Sequence, residues 1–194
     1  MAISYPLALP TSIGIAEITL SANNAVAISQ SPFTFQQQII RHPGQRWTAS
    51  VSIPPVRRDL AEPWVAFLLA MNGPVGTFLL GDPNAKAPQG TATSATITGA
   101  ARSSSPTITM AGTLLAGDYI QIGSGVTATL HKVLQDKNGT GTIEIWPALR
   151  STASSATVTL TNTVGRFRLS GTQQSFNIND ASIYGISFDC VEAL

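Results

Sequence analysis

The chain has one cysteine and two histidines in 194 residues, and only 11% of its residues carry charge. Cys190 has no partner within the chain, which excludes an internal disulfide. In the alternating run Tyr184, Ile186, Phe188, Cys190 it reads as a buried strand residue. The formal net charge is +1, so no strong field invites nucleic acid or an anionic membrane. The longest apolar run, residues 64–71, is far too short to span a bilayer, and no membrane insertion is expected. Residues 1–6 have neither a basic start nor a long hydrophobic core, so no secretory leader is expected there.

Residues that could carry chemistry are equally scarce. His42 and His131 have no second ligand at a metal-like spacing, and they read as a solvated turn residue and a strand-surface residue. Gly123-Ser124-Gly125 is not a nucleophile elbow, and no glycine-rich loop precedes a lysine in the manner of a phosphate cradle. Asp118 and Glu144 are of the residue type that works in pairs in sugar hydrolysis, but turn and surface roles account for both. Asn138-Gly139-Thr140 matches a glycosylation sequon but is fully explained as an Asn-Gly turn. No catalytic residue, cofactor site or metal site is expected, and the chain reads as a non-enzymatic protein.

What is present is β pattern. Residues 33–41 and 45–53 read as extended segments flanking the breaker His42-Pro43-Gly44. In the second, Trp47, Ala49, Val51 and Ile53 alternate with Arg46, Thr48, Ser50 and Ser52, the period of a strand with one buried face. Closed by Pro43-Gly44, the two make a hairpin of about nine residues per arm, roughly 30 Å long. Such a hairpin overhangs its own domain and is expected to clasp a neighbouring subunit. One helix follows, over residues 59–71, with Trp64, Phe67, Leu68 and Met71 on a single stripe and Asp59 and Glu62 at the spacing of a cap and its partner. Asn72-Gly73-Pro74 ends it, and residues 76–83 give a short buried strand that runs into a turn.

This succession of hairpin, Gly44-Gln45-Arg46-Trp47, Pro54-Pro55, Trp64-Val65-Ala66-Phe67-Leu68 helix and Gly76-Thr77-Phe78-Leu79-Leu80-Gly81-Asp82-Pro83 resembles the distal tail proteins of long-tailed bacteriophages and prophages. The resemblance covers residues 1–83 and 164–194. It implies a ring of six copies that joins the tail tube to the tip or baseplate at the distal end of the virion. The partners it implies are further copies of the chain, the tail tube protein and the hub or tip proteins. DNA would pass through the lumen without sequence-specific binding, and assembly would take place in the host bacterial cytoplasm.

The fold expected is mainly β: a sandwich or split-barrel ring domain with a long hairpin and one α-helix, interrupted by a small barrel-like insertion. The ring domain is assigned residues 1–83 and 164–194, and the insertion residues 84–163. Short Thr- and Ser-rich segments separated by Gly breaks fill that insertion, and Asp136-Lys137-Asn138-Gly139-Thr140 marks a turn within it. The near-copies Ser94-Ala95-Thr96-Ile97-Thr98 and Ser155-Ala156-Thr157-Val158-Thr159 suit its entrance and exit strands, with few contacts expected to cross to the ring domain. Arg41, Arg46, Arg57 and Arg58, together with His42, Pro43 and Gly44 at the expected hairpin tip, are the candidate subunit contacts. Tyr119 and Trp146 are candidate sugar-stacking residues, the basis of an alternative reading as a carbohydrate-binding module in host attachment.

Overall fold

The computed structural model describes residues 3–178 and 182–194. The expectation of no leader over residues 1–6 falls in part on Met1 and Ala2, which lie outside the described residues. In chain order, β1 (Glu17–Gln30) and β2 (Gln37–Arg57) lead into helix α1 (Arg58–Ala70) and β3 (Phe78–Leu80). The middle of the chain carries β4 (Ala95–Gly99), β5 (Thr107–Met110), β6 (Thr113–Leu114), β7 (Tyr119–Ile122) and β8 (Thr129–Val133). It continues with β9 (Lys137–Asn138), β10 (Gly141–Thr142), β11 (Ile145–Trp146) and β12 (Ala153–Thr159). β13 (Gly165–Leu169), β14 (Phe176–Ile178) and β15 (Ile183–Glu192) close the fold. The class is the one expected: mainly β, with one α-helix among the described residues.

Two sheets organise the molecule. The first runs β1-β2-β15-β13-β3, with β14 also paired to β15. The second runs β10-β5-β4-β12-β7-β8-β11, and β6 and β9 form a separate small ribbon. Its first and last long strands pair antiparallel, Thr157 opposite Thr96 and Val158 opposite Ala95, so the near-copies at the ends of the middle segment lie side by side.

The first core follows from the periodicity of β2 and α1. Trp47, Ala49, Val51 and Ile53 are all buried, as the alternation requires. They meet Trp64, Phe67, Leu68 and Met71 from the helix, also buried. Phe67 stacks edge-on against Phe78 at 5.5 Å, and Phe78 against Phe188 at 6.1 Å. The helix starts one residue earlier than expected, at Arg58, and Asp59 does not cap it: the N-cap is Arg57, with no side-chain cap bond. Glu62 instead takes the Nε of Arg58 at 3.0 Å, the ordinary fate of an i,i+4 pair on an exposed turn. Asn72, at φ +49°, takes the left-handed residue beyond the helix end.

The hairpin differs from the expectation in register and in turn. β2 is continuous through His42-Pro43-Gly44, and its partner is β1, not residues 33–41. Asn24 pairs with Gln45 and Val26 with Arg41, leaving Ala25 alone opposite His42, Pro43 and Gly44. The Pro-Gly signal therefore marks a bulge, where a proline that cannot donate to the ladder is tolerated. Close approach favours Gly44 there, since a Cβ would sit 3.0 Å from the Cβ of Ala25, tighter than an ordinary contact. A second bulge sets Pro54 and Pro55 opposite Gly185. The true turn is residues 31–36. Ser31 Oγ accepts the N–H groups of Phe33 and Thr34, and the Phe35 N–H donates to the Ser31 carbonyl at 2.9 Å.

The middle segment closes its own core around Ile97, Ile108, Leu114, Ile120 and Ile143. It is not loosely attached, contrary to the few crossing contacts expected. Tyr119 and Leu130 belong to the first core, where they pack with Trp47. The Trp47 indole N–H donates to the Leu130 carbonyl at 2.9 Å, and the Val164 N–H donates to Gln121 Oε1 at 2.9 Å. A tryptophan facing away from its own sheet needs a second layer to cover it, and β7 and β8 provide that layer.

Candidate functional site

β15 pairs with β2 only from Thr48 to Arg57. Outward of Trp47, β1 and β2 continue without a third strand, as a ribbon that ends in the Ser31 turn. Every residue of β1 from Ser21 to Gln30 is exposed, as is every residue of β2 from Gln37 to Gly44. The sequence leads one to expect an overhanging hairpin over residues 33–53; the ribbon here shares residues 33–46 with it but pairs β2 with β1 and turns at residues 31–36.

Beyond the bulge, five residue pairs run from Val26–Arg41 to Gln30–Gln37. Opposed residues share a face and faces alternate, so Val26, Ile28, Ile39 and Arg41 lie on one side and Ala27 and Ile40 on the other. Ile28 is 63% exposed and Ile39 60%. At the tip Phe33 is 92% exposed and Phe35 72%. Lone apolar residues on a surface are ordinary, but an apolar stripe ending in two bare phenylalanines marks a contact surface. No aspartate or glutamate occurs between Glu17 and Asp59, so the arm carries only the positive charges of Arg41 and Arg46.

The arm is held at its base by the second sheet. Asn24 Oδ1 accepts two donors, the Trp146 indole N–H at 2.8 Å and Gln45 Nε2 at 3.2 Å. Gln45 Oε1 in turn accepts the Ala148 N–H at 2.8 Å. The Trp146 ring stands edge-on to Trp47, centroids 4.5 Å apart at 88°.

The sequence candidates fall into separate places. Arg41 and Arg46 lie on the arm, on either side of the bulge formed by His42, Pro43 and Gly44, which are a mid-arm feature and not its tip. Arg57 and Arg58 sit at the opposite end of β2, where it enters the helix, and do not join them. Tyr119 and Trp146 form no sugar platform. Tyr119 is buried, tilted against Trp47 at 6.3 Å, and Trp146 has its edge contact and its N–H committed to the arm base. Strand aromatics in a two-layer fold go to the seam between layers.

Three buried polar groups escaped sequence reading in their actual roles. Asp118 is buried, not at the surface, and its carboxylate accepts the N–H groups of Gln89 at 2.7 Å, Gly90 at 3.3 Å and Leu115 at 2.8 Å. It organises loops, with both of its oxygens accepting backbone N–H groups. His131 is fully buried and not on the strand surface. Its Nδ1–H donates to the Pro147 carbonyl at 2.7 Å, which leaves Nε2 to accept from the Thr129 hydroxyl at 2.9 Å. Burial, aided by the Arg150 charge, lowers its pKa to about 4, although the Pro147 carbonyl acts the other way. Glu192 is buried and takes the Trp47 N–H together with the Arg150 guanidinium. Cys190 is buried, as its strand position implied, and its thiol is pushed up to about 12 by burial and the neighbouring Asp189.

Among the described residues, no group of three or more His, Cys, Asp and Glu is arranged to hold a metal ion. No helix among them is long and apolar enough to cross a membrane. No family model matches the chain, and no curated protein matches it.

Proposed function

We propose that the chain is a structural ring subunit of a bacteriophage tail tip, each copy docking its β1–β2 arm on the next. The observation that carries this reading is the arm itself. A two-stranded ribbon is marginal in water, and this one leaves Ile28, Ile39, Phe33 and Phe35 bare. Ordering and exposing such a surface is costly unless a partner covers it. A second copy suits the role, because closed rings form when one patch of each subunit meets a different patch on the next. The resemblance of residues 1–83 and 164–194 to distal tail proteins supplies the rest of the proposal. That ring has six copies at the distal end of the virion, is assembled in the host cytoplasm, contacts the tail tube and hub proteins, and encloses the path of the DNA. The role is architectural and requires no catalysis.

Light scattering and electron microscopy of the purified protein test it. The wild-type chain is expected to form closed rings. A variant carrying Phe33→Ser, Phe35→Ser and Ile39→Ser is expected to be monomeric with an unchanged melting temperature, since none of the three belongs to a core. A wild-type protein that stays monomeric at high micromolar concentration, or that is absent from virions, refutes the reading.

A further inference from the structure

We infer that the second sheet is the buttress that fixes the direction of the arm, with Asn24, Gln45 and Trp146 as its positioning residues. The geometry of the arm base carries this inference. Its consequence for assembly rests on the ring reading above.

A free two-stranded ribbon has no third strand or packed face to stiffen it. The weakest point of this one is the bulge, where Ala25 opposes His42, Pro43 and Gly44 and the ladder is interrupted. Directly inward of the bulge, each strand sends one side chain into the clamp. β1 contributes Asn24, whose Oδ1 receives both Trp146 Nε1 and Gln45 Nε2. β2 contributes Gln45, which also accepts the Ala148 N–H and is itself buried. Trp146 wedges against Trp47, the last core residue of β2 before the arm, and the Trp47 indole N–H donates to the Leu130 carbonyl. Both strands are thus fastened to the second sheet at the level where the first sheet stops supporting them. The swing that the bulge permits is held to one direction. Pre-ordering the arm in this way removes an entropic cost from every subunit contact it makes.

Asn24→Ala removes the shared acceptor, and Trp146→Phe keeps a ring while removing the donor. Asn24→Asp retains an acceptor oxygen for both donors and serves as the conservative control. Spin labels at Ser29→Cys on the arm and Ser154→Cys on the second sheet report the arm's direction by pulsed dipolar distance measurement. Cys190 is buried and unreactive enough to stay unlabelled. A narrow distance distribution is expected in the otherwise wild-type chain and with Asn24→Asp, and one at least twice as wide with Asn24→Ala and with Trp146→Phe. Ring association should weaken at least tenfold in the latter two, with melting temperatures little changed. Equal widths in all four proteins, or Asn24→Asp as broad as Asn24→Ala, overturn the inference. If widths change as expected while the wild-type chain forms no rings, the buttress stands and the ring reading falls.

Discussion

Arg150 and Glu192 form a two-point ion pair across the seam between the sheets. Arg150 Nε lies 3.0 Å from Glu192 Oε1, and Nη2 contacts Oε2, which also accepts the Trp47 N–H at 3.0 Å. The carboxylate is 4% exposed and the arginine side chain 19%, so water screens the pair weakly. It locks the segment after β11 to the end of β15 and the start of the packed half of β2.

Removing one partner is therefore costly. Arg150→Ala leaves a buried carboxylate with one N–H in place of three donors, and it should lower stability by about 3–5 kcal/mol. An Arg150→Met, Glu192→Met double replacement should cost clearly less than the sum of the single ones, because a buried pair stabilises little over an apolar pair of similar volume. Urea denaturation of the four proteins in the cycle measures both. A loss under 1 kcal/mol for Arg150→Ala would show that the seam is not closed by this pair.

His131 makes stability depend on mild acid. Its folded pKa of about 4 lies below the ordinary 6.5, so the unfolded chain takes up a proton that the folded one refuses. The contribution is complete above pH 6.5, falls as pH drops toward 4, and does not fall further below that. A shift of this size corresponds to about 3 kcal/mol. Chemical denaturation at pH 7 and pH 4.5 should differ accordingly in the wild type and much less in His131→Gln, whose amide still donates to Pro147. Identical pH dependence in the two proteins would assign the acid sensitivity to the carboxylates.

Cys190 should be silent toward thiol reagents in the folded chain. A buried thiol with its pKa near 12 has almost no thiolate at neutral pH. Labelling by a maleimide is expected only at the rate of unfolding, and denaturant should accelerate it by orders of magnitude. Fast stoichiometric labelling of native protein would place the end of β15 in an open, exchanging state.

The parts of the fold legible in the sequence are those in which periodicity and burial agree. Trp47 to Ile53 alternate because one face of β2 is covered, and Trp64, Phe67, Leu68 and Met71 repeat because one face of the helix is. β1 was not legible for the opposite reason. From Ser21 to Gln30 both of its faces are wet, so Ser21-Ala22-Asn23-Asn24 carries no alternation to read. The turn was missed because it contains no glycine: Phe35 occupies the positive-φ position itself, at +56°, while the Pro-Gly pair that advertises a turn lies in a bulge. The overhang of the arm was legible as a consequence of length. Its contact residues are not, because Phe33 and Phe35 read as the start of an extended segment. The seam was invisible in one dimension, since Trp47 and Glu192 stand 145 residues apart and only the closed fold joins them.

The two rims of the first sheet are unlike. Outside β3 the chain lays Leu7, whose N–H bonds to the Thr77 carbonyl at 2.8 Å and whose carbonyl takes the Leu79 N–H at 3.2 Å. Outside β1 no described strand lies, over 14 residues. The second sheet ends in β10 and β11, two residues each, too short to template a partner. Among the described residues the long open ladder rims thus both lie on the β1–β2 pair: the outer edge of β1, and the edge of β2 from Gln37 to Trp47 that β15 does not reach. Edge-to-edge pairing between copies is thereby confined to one projecting element, and the body of the subunit offers accumulating copies only short or covered rims.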